Sequence, residues 1–129
     1  MNKPRILIID DNRELVETFK DILELRGCEV FGVNSGSAAV AEVEKGHFDV
    51  VLLDLVMPGM NGVETLRAIR QLDPEVRCIV VTAYGNSHLA AEAGKEGALR
   101  VFEKPLAGQE VIELIARLTG LPDSRRQAR

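Results

Sequence analysis

The sequence predicts an α/β fold in which five parallel strands alternate with five helices, and three observations predict it. The apolar runs Ile6-Leu7-Ile8-Ile9, Val50-Val51-Leu52-Leu53 and Ile79-Val80-Val81 are short, rich in β-branched residues and unalternating, as strands covered on both faces should be. Longer amphipathic segments lie between the runs, and glycine, proline and capping residues punctuate the joins at regular intervals.

The elements follow in order. After the first strand, Leu15, Phe19, Ile22 and Leu23 recur at helical spacing, and Gly27 closes a helix over about 13 to 26. Cys28 to Val33 is a more mixed run, suited to a strand with less complete cover. Ser35-Gly36-Ser37 opens a second helix that ends near Gly46. Beyond the third strand, Asn61 and Glu64 form a capping box before Val63, Leu66 and Ile69, and Asp73-Pro74 ends that helix. The fourth strand leads to an alanine-rich helix from about Ser87 to Lys95, then to a short strand from Leu99 to Glu103. Val111, Ile115 and Leu118 line one face of a fifth helix before Gly120. Right-handed crossovers must put helices on both faces, so the expected sheet is doubly wound in the order 2-1-3-4-5, a flavodoxin-like (βα)5 arrangement. Its crevice opens at the carboxyl ends of strands one and three, where the winding reverses.

A chain of 129 residues, 46% hydrophobic and 28% charged, has the size and composition of one globular domain, which excludes wholesale disorder. The expected division is a domain over 1–120 and a flexible basic tail or linker stub over 121–129, with Arg125, Arg126 and Arg129 following Pro122. A net charge of −4 gives no sign of a phosphate-backbone binder, so direct nucleic-acid binding is not expected. No apolar run approaches the roughly 18 residues of a spanning helix, and the start, MNKPRILIIDDN, meets acid after four consecutive apolar residues. Neither secretion nor membrane insertion is expected. Cys28 and Cys78 lack metal-ligand spacing and read as buried thiols in a reducing cytoplasm. His47 and His88 have no partner at ligand spacing, and Gly94-Lys95-Glu96-Gly97 reads as a helix end plus turn, not a phosphate loop.

The residues that follow the apolar runs carry the chemistry. Asp10 and Asp11 follow strand one, Asp54 follows strand three, Thr82 follows strand four, and strand five ends in Lys104-Pro105. Taken singly, Asp11 could cap a helix, Asp54 could start a turn and Lys104 could be a solvated charge. Together they converge on one rim. Two carboxylates about 4 Å apart repel by ~4 kcal/mol at an effective dielectric near 20, so a cation must compensate. Lys104 can neutralise one carboxylate, and a hard divalent ion, Mg²⁺ being the natural choice, can take others with a backbone carbonyl and waters.

In the order and placement of Asp10-Asp11, Asp54-Leu55-Val56-Met57-Pro58-Gly59-Met60-Asn61-Gly62, Thr82-Ala83 and Lys104-Pro105, the chain resembles the receiver domain of two-component response regulators over residues 4 to about 119. The resemblance implies a phosphoacceptor signalling domain, not an enzyme beyond its own phosphorylation and dephosphorylation. Asp54 would accept a phosphoryl group from a sensor histidine kinase or phosphotransfer protein. Asp11, Asp54 and the Val56 carbonyl would ligate Mg²⁺, with Asp10 acting through water, while Lys104 and Thr82 grip phosphoryl oxygens. Pro105 would be cis. Output would pass to an effector domain or target protein through the face of helix four, strand five and helix five, from a monomer or weak dimer.

The chain departs from the family pattern at three positions. Most members carry Tyr or Phe where this sequence has Val101, and a valine cannot act as a two-position aromatic gate. Phe102 should face oppositely and pack in the core, so switching is expected to use loop and helix-four movement. Val56 and Tyr84 occupy positions that tune phosphoryl lifetime in the family; neither offers a carboxylate or amide, and slow self-dephosphorylation is expected. The missing aromatic also leaves open a receiver-like interaction module that works without phosphorylation. A stand-alone regulator and the amino-terminal part of a longer protein are both compatible with these residues.

Overall fold

The computed structural model describes residues 3–57, 59, 61–83, 88–104 and 108–121. The elements alternate as β1 (Arg5–Ile9), α1 (Arg13–Leu25), β2 (Glu29–Val33), α2 (Gly36–Lys45), β3 (Val50–Asp54), α3 (Gly62–Leu72), β4 (Arg77–Thr82), α4 (His88–Lys95), β5 (Arg100–Glu103) and α5 (Gly108–Thr119). All strand pairs are parallel, and the order is β2-β1-β3-β4-β5. The (βα)5 sheet is as the sequence predicts.

Alternate residues of each central strand feed two cores. Ile6, Ile8, Val50, Leu52, Ile79 and Val81 pack beneath α1 and α5. Leu7, Ile9, Val51, Leu53, Cys78 and Val80 pack beneath α2, α3 and α4. This burial on both faces explains why the three runs show no polar alternation. The edge strands β2 and β5 are only partly covered, which explains their mixed composition.

Among the described residues side-chain oxygens cap three helices: Asn12 accepts from the Leu15 amide, Ser35 from Ala38 and Asn61 from Glu64. Asp11 caps nothing in that set; its neighbour Asn12 does. On α1 the buried residues are Val16, Phe19 and Leu23, while Ile22 is exposed, so the helix is rotated from the face its apolar spacing suggests. The rotation follows from close packing on β2, where a side chain at Gly32 would collide with Val16 Cγ1. At Gly97, φ is +100°, and its amide with that of Ala98 closes α4 on the carbonyls of Gly94 and Ala93, so 94–97 is a helix end and turn.

Candidate functional site

Sheet hydrogen bonds continue past the strand ends and fix the backbone of the polar rim. The Asp10 amide donates to the Val33 carbonyl (3.1 Å), the Leu55 amide to Val81 (3.1 Å) and the Lys104 amide to Thr82 (2.8 Å). Asp10, Asp54 and Lys104 are therefore presented by rigid sheet, not by mobile loops. Behind Asp54 the chain turns back onto α3: the Gly62 amide donates to the Leu55 carbonyl at 2.8 Å. A Cβ at Gly62 would lie 2.4 Å from Leu55 Cα, so only glycine allows this approach.

One oxygen from each of Asp10, Asp11 and Asp54 lies within 4.8 Å of the others. Asp10 is 2% and Asp54 6% exposed, while Asp11 faces solvent. The two buried carboxylates are held alike. Asp10 Oδ1 accepts from the Asn12 amide (2.9 Å) and Asp54 Oδ1 from the Val56 amide (3.1 Å). Lys104 Nζ donates to the other oxygen of each, at 3.3 Å to Asp10 and 3.2 Å to Asp54. Thr82, 1% exposed, ends β4 between β3 and β5.

These contacts do not neutralise the cluster. Burial pushes the Asp10 carboxyl above its ordinary 3.8 and the Asp54 charge adds to this, despite the opposing pull of the Asn12 amide and Lys104. Burial draws the Lys104 ammonium down, but the charges and hydrogen bonds of Asp10 and Asp54 outweigh it and leave it above 10.5. Lys104 bonds two of the three acids. The residual negative charge and the all-oxygen donor set suit a hard divalent cation such as Mg²⁺. No other group of three such side chains converges among the described residues.

A family model, the response regulator receiver domain, matches residues 6–116. The chain belongs to this family. The receiver domain is 34% identical over 116 residues to the chemotaxis protein CheY of Thermotoga maritima, covering 89% of this chain and 97% of that protein. It is 38% identical over 110 residues to a response regulator receiver protein of Anaeromyxobacter, covering 85% of this chain and 46% of that one. Among solved structures, a CheY-like receiver domain protein from Methanospirillum hungatei superimposes with a TM-score of 0.86 at 30% identity, covering 90% and 93% of the two chains. The chain spans less than half the length of several curated relatives it matches.

The remaining sequence-predicted positions separate. In this receiver domain Val56 is 49% exposed at the mouth of the site. Val101 is half-buried against the α2–α4 side of the sheet, with Leu89 and Ala98. Phe102 packs on the opposite side, with the Arg100 guanidinium 4.8 Å above its ring. Tyr84 and Pro105, including the cis expectation, lie outside the described residues. Sequence reasoning missed the Asn12 amide as the group that orients Asp10; its only signal was a capping residue directly after the acid pair. His88 is bonded within its own helix, to Glu92, and His47 to the more distant Asp73.

Proposed function

We propose that Asp54 is the phosphoacceptor of a two-component response regulator. One observation carries this reading: a lysine from the end of β5 and two acids from the end of β1 meet around the single carboxylate that ends β3, whose own partners hold it in place. Phosphoryl transfer demands in-line positioning and neutralisation of the equatorial oxygens more than a strong base. An Asp54 oxygen forms the bond to phosphorus as the phosphorus–nitrogen bond of a kinase phosphohistidine breaks, and the departing imidazole nitrogen keeps the electron pair and is reprotonated.

Asp11, Asp54 and the Val56 carbonyl would hold Mg²⁺ directly and Asp10 through water; the ion supplies charge neutralisation on the phosphoryl oxygens. Lys104 exchanges its carboxylate partners for a phosphoryl oxygen, a charge-assisted bond, and the Thr82 hydroxyl adds a weaker neutral one. Because Lys104 and Thr82 are joined through the Lys104 amide, movement of Thr82 is passed to the start of the loop after β5.

A sensor histidine kinase or phosphotransfer protein is the donor, and the output partner meets the α4, β5 and α5 face. The domain unit is 1–120 and its setting is the cytoplasm. Among the described residues no helix is long and apolar enough to cross a membrane, in keeping with that setting. The test is intact mass after incubation with a small phosphodonor and Mg²⁺. A phosphoryl-sized gain in wild type and none in Asp54→Ala supports the proposal; no gain in either favours an interaction module independent of phosphorylation.

A further inference from the structure

The chain has two histidines, and one of them, His47, stands at the amino end of the sheet with a carboxylate facing each ring nitrogen. It belongs to the segment between α2 and β3, and Asp49 directly precedes β3. Nδ1 lies 2.5 Å from Asp73 Oδ2, and Asp73 is steadied in turn because its Oδ1 accepts from the Glu75 amide at 3.2 Å. A neutral ring that donates from Nδ1 carries its lone pair on Nε2. That nitrogen lies 3.7 Å from Asp49 Oδ1, too far for a hydrogen bond.

Asp49 is held as firmly as the ring. Its amide donates to the Arg5 carbonyl (2.8 Å) and its Oδ2 accepts from the Arg5 amide (2.7 Å), which leaves Oδ1 turned to His47. The His47 carbonyl accepts from the Arg5 guanidinium (2.7 Å), so the backbone on both sides of Phe48 is fixed. A nitrogen lone pair and a carboxylate oxygen therefore face each other across a gap near the ~3.4 Å ligand-to-ligand edge of a tetrahedral ion with bonds of about 2.1 Å. Both border a cavity of about 350 Å³ whose other walls are Glu75, Arg77, Leu118 and Thr119. The Arg77 guanidinium is engaged there by the Leu118 carbonyl.

We propose that His47 Nε2 and Asp49 Oδ1 form a second metal site, for a borderline divalent transition ion such as Zn²⁺, with water completing the shell and Asp73 as the positioning residue that holds the ring. Imidazole suits such ions, whereas Mg²⁺ prefers oxygen donors, so the two ends of the sheet take different metals. A carboxylate that accepts from the second nitrogen of a metal-bound histidine fixes the ring and raises its basicity, which is the place Asp73 occupies. The site lies at the opposite end of β3 from Asp54, roughly 16 Å away at about 3.3 Å per residue, and it does not rest on the Asp54 reading. Spacing within the sequence gives His47 no such partners, because Asp73 reaches it from the end of α3.

The test titrates Zn²⁺ into the full, tag-free chain in excess Mg²⁺, which keeps the acidic rim at Asp10, Asp11 and Asp54 occupied, and follows the nitrogen-15 signals of the two imidazoles. His47 Nε2 should shift at Zn²⁺ concentrations that leave His88, with its helical neighbour Glu92, unmoved. In Asp73→Asn the affinity read at His47 should fall about 10- to 100-fold, the usual worth of a carboxylate behind a metal-bound histidine. Asp49→Asn should weaken binding as well, and the amide spectrum of each variant reports that its fold is intact. No shift at His47, or a His88 shift at the same concentrations, overturns the site and leaves binding to surface histidines only. A shift centred on Nδ1 overturns the assignment of ligand atoms, and an unchanged affinity in Asp73→Asn overturns the positioning role.

Discussion

Lys104 Nζ, on the residue that follows β5, lies 3.2 Å from Asp54 Oδ2 at the end of β3, reaching past the intervening β4. The same ammonium lies 3.3 Å from Asp10, so one cation already engages the oxygens that a divalent ion would also claim. Lys104 and a metal thus compete for Asp10 and Asp54. Lys104→Met should lower stability in the presence of a chelator by about 1–3 kcal/mol, since two buried carboxylates lose their charged donor. Added Mg²⁺ should then raise the variant's melting temperature more than that of wild type. Thermal unfolding with EDTA and with Mg²⁺ measures both; an equal or smaller metal response in the variant would contradict the competition.

The pH dependence of the metal-free fold has two arms. Asp10 is raised above 3.8 in the folded state, so its contribution is fully present below 3.8 and is lost as pH rises through the folded value. Lys104 is raised above 10.5, so its contribution is present below 10.5 and lost as pH climbs through its folded value. Asp10→Asn should therefore stabilise the chelated protein at neutral pH while reducing its stabilisation by Mg²⁺. Urea midpoints against pH test this; a destabilised Asp10→Asn protein in EDTA would show that the Lys104 contact outweighs the burial of the charge.

Gly62 is the hinge on which the loop after Asp54 folds back. An alanine methyl at this position would lie only 2.4 Å from Leu55 Cα, so Gly62→Ala must push the loop off α3 and should cost about 1–3 kcal/mol. Denaturant unfolding reads the cost, and the rate of phosphoryl uptake should fall with it, because that loop starts directly after Asp54 and carries the Val56 amide that bonds its carboxylate.

Val56, exposed at the site mouth, offers attacking water no hydrogen-bonding side chain. Val56→Asn should speed loss of the phosphoryl group by roughly three- to tenfold, the value of one neutral hydrogen bond to that water. Decay of the phosphorylated mass over time measures it, and an unchanged rate would remove Val56 from the account of phosphoryl lifetime.

Burial pushes the Cys78 thiol up to about 12, and burial raises Cys28 as well. Both should remain protonated and unreactive towards a thiol reagent at pH 8 in the folded protein, and both should react in urea. Rapid labelling of Cys78 without denaturant would mean that β4 opens locally.

The sheet was legible because a strand buried on both faces leaves an unbroken apolar run, and the site was legible because each such run ends in a residue that has no reason to be apolar. What could not be read were pairings between distant side chains. The rotation that buries Val16 instead of Ile22 is set by Gly32 on the neighbouring strand, not by the apolar spacing of α1, which both residues satisfy. Arg5 is a second case: its guanidinium lies 5.0 Å from the Phe31 ring and 4.6 Å from Phe48 while it bonds Glu29 and the His47 carbonyl. No periodicity within β1 encodes partners drawn from β2 and from the loop between α2 and β3. The bonding of Arg67 to Glu96 was hidden for the same reason.

Chemical mapping of the modified residue tests the central claim most directly. After treatment with a small phosphodonor and Mg²⁺, borohydride reduction converts an acyl phosphate to an alcohol, and peptide mass spectrometry locates the resulting homoserine. Homoserine at position 54 alone is the predicted result. Reduction at position 10 or 11, or no reduced residue under conditions that phosphorylate a known receiver, would contradict it.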